Sequence, residues 1–259
     1  MVSRRVTILL VLLAFGAGVA VGVFGLLWAT GGDATPSRDV REVAPTLSLE
    51  EAAPAPEATE PPPTEAAANP AAAPAAQRAL YRITEDGSQA RYKIDETLLG
   101  NRITVVGATA RVAGDIIVDF ASPAQSQVGV IAVNARTFRT DQEFRDQAVR
   151  GQILQTSRPE NEFITFEPTS YSGLPAGPAA VGDTLDFQIT GNLTVRGVTR
   201  QVMFDVSVTV ETEERIRGTA TTTILYRDFG IGINAPPTVS DIGDEVTLEI
   251  DFVALRVAA

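Results

Sequence analysis

Two arginine–aspartate neighbours, Arg145-Asp146 and Arg227-Asp228, are the residues best placed by type and spacing to do chemistry. A guanidinium beside a carboxylate can hold the polar end of a ligand, and it can equally form a structural pair near a turn or strand end. The structural role is the expected one for all four residues. Asp and Glu number 32, so two carboxylates could meet in space for acid–base work, but no spacing singles out a pair. Histidine and cysteine are both absent. That removes the Ser-His-Asp arrangement, thiol nucleophiles, HExxH and cysteine zinc sites, iron–sulfur ligation and histidine-held haem. The expectation is therefore a protein that is not an enzyme, with no catalytic residues, no metal site and no cofactor.

Charge narrows the partners further. Lys+Arg is 21 against 32 Asp+Glu, a net charge of −11, and Lys93 is the one lysine. Such a chain lacks the basic field that nucleic acid requires, so no nucleic-acid partner is expected. At 259 residues and 44% apolar content it is long enough for one sizeable core.

The elements that must position these residues occupy the last two thirds of the chain. Val6–Trp28 is an uncharged run of 23 residues behind Arg4 and Arg5. As a helix it would extend about 35 Å, enough to cross a bilayer core of about 30 Å. The basic flank directs the rest of the chain out of the cytoplasm, and Trp28 sits where an interfacial aromatic belongs. A cleaved signal peptide is the competing reading, although Ala29-Thr30-Gly31 is a poor cleavage site. Gly18 and Gly22 have the spacing of a helix-pairing motif, a weak pointer to a homodimer. Residues 29–79 hold nine of the 16 prolines with many Ala and Glu, which predicts a disordered, semi-stiff linker. The division is thus anchor 1–28, linker 29–79 and folded domain 80–259, with the domain extracytoplasmic on a single-pass anchor in the cell membrane.

Within 80–259 the texture is β. Val112, Gly114, Ile116, Val118 and Phe120 alternate with polar residues, as do Leu185, Phe187 and Ile189. Val202, Phe204, Val206, Val208 and Val210 form a third row, and Val246, Leu248, Ile250, Phe252 and Ala254 a fourth. Period-two patterning of this kind predicts antiparallel strands in a sandwich or closed barrel. One segment departs from it. Thr140 and Glu143 have capping-box spacing, predicting a short helix with Phe144, Ala148 and Val149 on one face. Gly191–Gly197 reads as turn chemistry or close backbone approach. It precedes no helix and contains no lysine, which excludes a P-loop. The sequon at Asn192-Leu193-Thr194 is incidental to that turn.

Several stretches resemble the YceI-like proteins across nearly all of 80–259. They are Tyr92-Lys93-Ile94-Asp95; Val130–Val133 leading to Phe138-Arg139-Thr140-Asp141 and Arg145-Asp146; and Phe163-Ile164-Thr165-Phe166. Gly191–Arg200 matches the family's Gly-x-Leu-Thr turn, and Tyr226–Ile231 its Arg-x-Asp-Phe-Gly stretch. The family's short helix usually reads Arg-Asp-x-His-Leu; here Ala148 and Val149 follow Arg145-Asp146, so its histidine is missing. The resemblance implies an all-β fold, an eight-stranded antiparallel lipocalin-like barrel with one short helix. It also implies non-catalytic binding of an amphiphilic bacterial-envelope lipid, such as a polyisoprenoid or isoprenoid quinone, within the barrel. Val112, Ile116, Phe120, Phe166, Phe187, Val202, Phe204, Val206 and Phe252 are then the expected lining. The same residues could instead fill a solid core, in which case the domain is a structural or protein-interaction module of the envelope.

Overall fold

The computed structural model describes residues 37–49 and 78–258. The anchor expected over 6–28 lies outside them; among the described residues no helix is long and apolar enough to cross a membrane. The strands run β1 (Arg78–Ile83), β2 (Gln89–Leu98), β3 (Asn101–Thr109), β4 (Val112–Ala113), β5 (Asp115–Asp119), β6 (Gln127–Val128) and β7 (Ile131–Asn134). After the helical segment come β8 (Phe163–Ser172), β9 (Thr184–Val195), β10 (Val198–Thr212), β11 (Arg215–Leu225), β12 (Val239–Ser240) and β13 (Glu245–Arg256). Hydrogen bonds join them in the order β4-β7-β8-β9-β10-β11-β13-β1-β5-β6, with β2 added on β13, and β3 and β12 on β2. Every pairing is antiparallel.

The path folds back on itself. β4 pairs with β7 and β5 with β1, yet only Gly114 separates β4 from β5 in sequence. The product is an all-β, strongly curled antiparallel sheet of lipocalin-like form with one short helix. Its apolar rows face inward as their alternation predicts: Phe204 stands opposite Ile189, Val206 opposite Phe187, and Ala220 opposite Ile250. Tyr81, Ile83, Val210, Ile216 and Ala254 are buried in the same continuous core.

Glycines admit the largest rings. Gly191 lies within β9, so close backbone approach, and not a turn, explains it. A Cβ there would sit 2.5 Å from the Glu167 carbonyl oxygen and 2.6 Å from Phe166 Cζ. Gly191→Ala is therefore expected to cost about 1–3 kcal/mol, the usual price of overpacking, measurable by denaturant unfolding. The turn itself is Arg196-Gly197, where φ is +51° and +71°, the twin left-handed conformation of a type I′ hairpin.

The helix α1 spans Glu143–Ala148. The capping box expected from Thr140 and Glu143 does not form. Gln142 is the N-cap, and the buried Asp146 carboxylate reaches back to accept from Thr140 N–H (2.6 Å) and Thr140 O–H (2.7 Å). Asp146 thus takes the Thr140 N–H that the Glu143 carboxylate would accept in a capping box, and Thr140 Oγ accepts from Gln142 N–H (3.2 Å) instead of Glu143 N–H. Phe144 does not share the buried face of Val149; it is 71% exposed.

Residues 37–49 dock on the outer face of the sheet, where an unstructured linker was expected. Val40 and Ala44 are buried against Ala113, Ala132 and Phe163. Leu47 N–H donates to Asp115 at 3.2 Å. Asp115 is consequently buried, although alternation puts it on the solvated face, and it accepts both Nε (2.8 Å) and Nη2 (2.9 Å) of Arg82.

Candidate functional site

Two apolar cavities lie end to end inside the curled sheet. The larger, about 190 Å³, is lined by Tyr92, Ile94, Val105, Val133, Phe138, Val149, Ile153, Leu154, Leu193, Val195, Ile224, Ile231, Ile233, Ile242, Val246 and Leu248, among others. The smaller, about 110 Å³, is lined by Ile83, Ile116, Val118, Val128, Phe187, Val206, Val208, Val210, Ile216 and Phe252, among others. Ile131, Phe166, Phe204 and Ile250 line both. The two rings of that set, Phe166 and Phe204, meet edge to face with centroids 4.9 Å apart. They form the partition. Space enclosed by such side chains stays dry and favours an apolar guest.

Six of the nine residues expected as lining border a cavity: Phe166 and Phe204 both, and Ile116, Phe187, Val206 and Phe252 the smaller. Val112, Phe120 and Val202 pack with the core instead. Phe120 has turned its ring edge to Tyr81, with centroids 6.3 Å apart. Sequence reasoning missed most of the larger cavity. The alternation of Tyr92 and Ile94 with Lys93 and Asp95 was a usable signal, as was Ile231-Gly232-Ile233. Nothing local marked Phe138, Ile153 or Leu154.

Polar groups border the larger cavity at two places along β2. Arg145 Nη2 donates to Glu96 at 3.0 Å, and Nη1 of the same guanidinium pairs with Asp141. Arg145 and Glu96 both line the cavity, as do Arg91 and Glu249. The Lys93 ammonium, bonded to Glu249 at 2.6 Å, overcomes partial burial and, with Arg91, holds that carboxyl below its usual range. Tyr92 lies over Gly107, where a Cβ would come within 2.1 Å of its ring. Burial pushes its phenol up, so it stays neutral. Its hydroxyl has no hydrogen-bond partner among the described residues.

The four charged residues named from sequence separate into three settings. Asp146 is buried and ties Thr140 to its own helix, Arg145 borders the cavity, and Arg227 lies on the surface with Asp228. Arg227 is paired not with Asp228 but with Asp244, Nε to Oδ1 at 2.8 Å, and its side chain is 66% exposed. It also stacks over the Tyr226 ring at 5.3 Å. Exposure removes the larger stability cost that a buried pair would carry, so Arg227→Ala is expected to leave the thermal unfolding midpoint close to that of the parent.

The fold is shared with solved structures of low sequence identity. BcnA of Burkholderia cenocepacia superposes with a TM-score of 0.52 at 18% identity, covering 66% of this chain and 98% of that one. A polyisoprenoid binding domain from Saccharophagus degradans, implicated in plant cell wall breakdown, superposes at 0.51 and 12% identity, covering 68% and 98%. In sequence, a UPF0312 protein of Shewanella oneidensis is 30% identical over 184 residues, 69% of this chain and 90% of its own length. A UPF0312 protein of Shewanella baltica is 28% identical with the same coverage. The YceI-like domain matches residues 81–254, nearly the whole of the curled sheet and both cavities, and the chain belongs to the YceI-like family.

Proposed function

We propose that the chain binds a long-chain amphiphilic lipid, such as a polyisoprenoid or isoprenoid quinone, inside the sheet and carries or stores it at the extracytoplasmic face of the membrane. It belongs to a family of binding proteins and is not an enzyme. The observation that carries the reading is the pair of apolar cavities in series, with Phe166 and Phe204 between them. Counted across their interruptions, β1–β2, β3–β5 and β6–β7 are three staves that join β8, β9, β10, β11 and β13 in an eight-stranded barrel, a size that holds one small ligand. An apolar tail gains about 25 cal/mol per Å² removed from water, so affinity needs few polar contacts. The polar end is read as lying beside Arg145, Glu96 and Tyr92. The polyisoprenoid-binding domain of Saccharophagus degradans, with the same fold, supports this class of ligand. The run at 6–28 is read as a single-pass anchor, with Gly18 and Gly22 as a face for pairing two copies. A purely structural envelope module is the weaker reading, because a protein without a guest has no use for a hollow interior.

The test is organic extraction of the purified full chain followed by mass spectrometry. A long-chain lipid at near-stoichiometric yield is the expected result. A chain purified repeatedly from membranes with no extractable lipid, and taking up none from isoprenoid-containing vesicles, would return the domain to the structural reading.

A further inference from the structure

We infer that residues 140–154 form a hinged lid over the larger cavity, latched to β2 by the Arg145–Glu96 ion pair, and that a guest enters and leaves where this lid lifts. The inference rests on the lipid-binding reading and names how that site is opened and closed.

The lid fills a break in the wall. Along β9, β10, β11 and β13 the sheet is a continuous backbone ladder. β3 differs. One edge pairs with β2, and among the described residues its other edge meets backbone only at Ala108, which exchanges hydrogen bonds with Arg139 at 2.8 and 3.0 Å. The cavity is closed there by the segment that carries α1, which lines it with Phe138, Arg145, Val149, Ile153 and Leu154. Both ends of the segment are fixed. The Ala108–Arg139 bridge holds one. At the other, the buried Thr156 gives its carbonyl to Arg136 Nε at 2.7 Å, and Gln155 before it gives its own to Asn161 Nδ2 at 3.2 Å. Gln155 is left-handed, with φ at +51°, so the chain changes direction at that point. Between these ends, two side-chain bonds tie the segment to the sheet. Arg145 Nη2 donates to Glu96 of β2, and Arg196 Nη1, in the β9–β10 turn, donates to the Ile153 carbonyl at 3.0 Å. The sheet order places β11 and β13 between those two fastenings, so the segment spans the cavity.

A ladder parts only through many backbone bonds, whereas this part of the wall is released by two side chains. The Arg145 and Glu96 side chains are 14% and 11% exposed. A pair at that depth regains hydration when it separates, which offsets much of the attraction it loses. Local openings of this kind cost far less than global unfolding. The inner part of the lid, Val149–Ile153, is a π-turn in which Leu154 N–H donates to the Val149 carbonyl at 2.7 Å. Such turns interrupt regular helix and gather at functional sites. Val149 and Leu154 are buried against the core, and lifting the lid uncovers them. An apolar tail sliding beneath would keep them from water, so a guest favours its own entry. The Tyr92 hydroxyl has no hydrogen-bond partner among the described residues. The closed state therefore forgoes a bond that water supplies to that phenol when the cavity opens.

The absence of cysteine makes the test clean. Val133→Cys places a single reporter thiol in the larger cavity of the purified full chain, and Val206→Cys places one in the smaller. Each is combined with Glu96→Ala or with Arg196→Asn, which release opposite sides of the lid; asparagine suits the left-handed backbone at 196. Labelling of the thiol at 133 by N-ethylmaleimide is expected to accelerate about tenfold in either variant, while the thiol at 206 keeps close to its parental rate. Amide hydrogen exchange along β9 and β10 should stay as slow as in the parent. Uptake of NBD-labelled farnesol, held at self-quenching density in phosphatidylcholine vesicles and read by its dequenching, should quicken by a similar factor. Labelling at 133 that is unchanged in both variants would overturn the lid. Faster labelling with unchanged uptake would overturn it as the guest's route, and acceleration at both thiols with loss of protection in β9 and β10 would replace it with general loosening. Uptake by no form of the protein, parent included, would overturn the lipid-binding reading and the inference with it.

Discussion

Glu162→Ala is expected to cost about 3–5 kcal/mol, the range for removing one partner of a buried charged pair. Glu162 is 2% exposed and gathers Ser37, Arg38 and the buried Arg136, whose Nη1 lies 3.3 Å away. Alanine would deprive two guanidiniums of this carboxylate, and Arg136 would keep its bond to the Thr156 carbonyl at 2.7 Å. Residues 37–49 would lose their fastening at Ser37 and Arg38 at the same time. Acid should mimic the substitution. Desolvation pushes the Glu162 carboxyl up, but hydrogen bonds from the Arg38 backbone and guanidinium and from Ser37, with the charge of Arg136, outweigh it and leave the group below its ordinary 4.5. A carboxylate depressed in the folded state contributes stability that is fully present above the unfolded value and is lost as pH falls through the folded one. The docking of residues 37–49 should accordingly be independent of pH near neutrality and weaken only below about 4.5. Limited proteolysis across residues 37–49 at pH 7 and pH 4, beside calorimetry of the alanine variant, measures both effects. A variant that unfolds like the parent would show that Glu162 carries no such weight.

Phe204 is the second position where a large effect is expected, and there two substitutions separate packing from function. The side chain is 5% exposed and borders both cavities. Phe204→Ala should cost about 3–5 kcal/mol, the range for deleting a buried ring, while joining the two spaces into one that still accepts an apolar tail. Phe204→Asp sets a carboxylate in the same dry position with no counter-charge, which should abolish lipid retention and destabilise the sheet at least as much. Extraction and mass spectrometry on both variants, with unfolding curves alongside, decides the matter. Lipid retained by the aspartate variant would mean that the guest does not pass this point.

The inward rows of β9, β10 and β13 were legible because each strand is long, has one apolar face and pairs with neighbours of the same kind. The first third of the sheet was harder to read. Val112 to Phe120 suggested one strand, but Gly114 breaks it, and the Ala113 and Asp115 side of it is covered by residues 37–49. Residues 37–49 were unreadable as structure for a related reason. Val40 and Ala44 are too few to signal a packed element, and the surface that receives them is built from residues some 70 to 120 positions later. The same holds for the larger cavity, whose upper wall comes from connections and not from strands. Alternation reports which face of a strand is apolar; it cannot report which loop will fold over the end. Helix α1 was found by its pattern, but its cap was not, because Asp146 accepts the Thr140 N–H that Glu143 would have taken in a capping box.

The ring pair between the cavities also bears on how long a guest stays. A tail that fits wholly on the near side of Phe166 and Phe204 can leave without moving either ring. One that has threaded past them must displace packed aromatic surface again on the way out. Residence time should then rise abruptly with tail length instead of smoothly, so that the interior sorts tails by reach, retaining the long and surrendering the short.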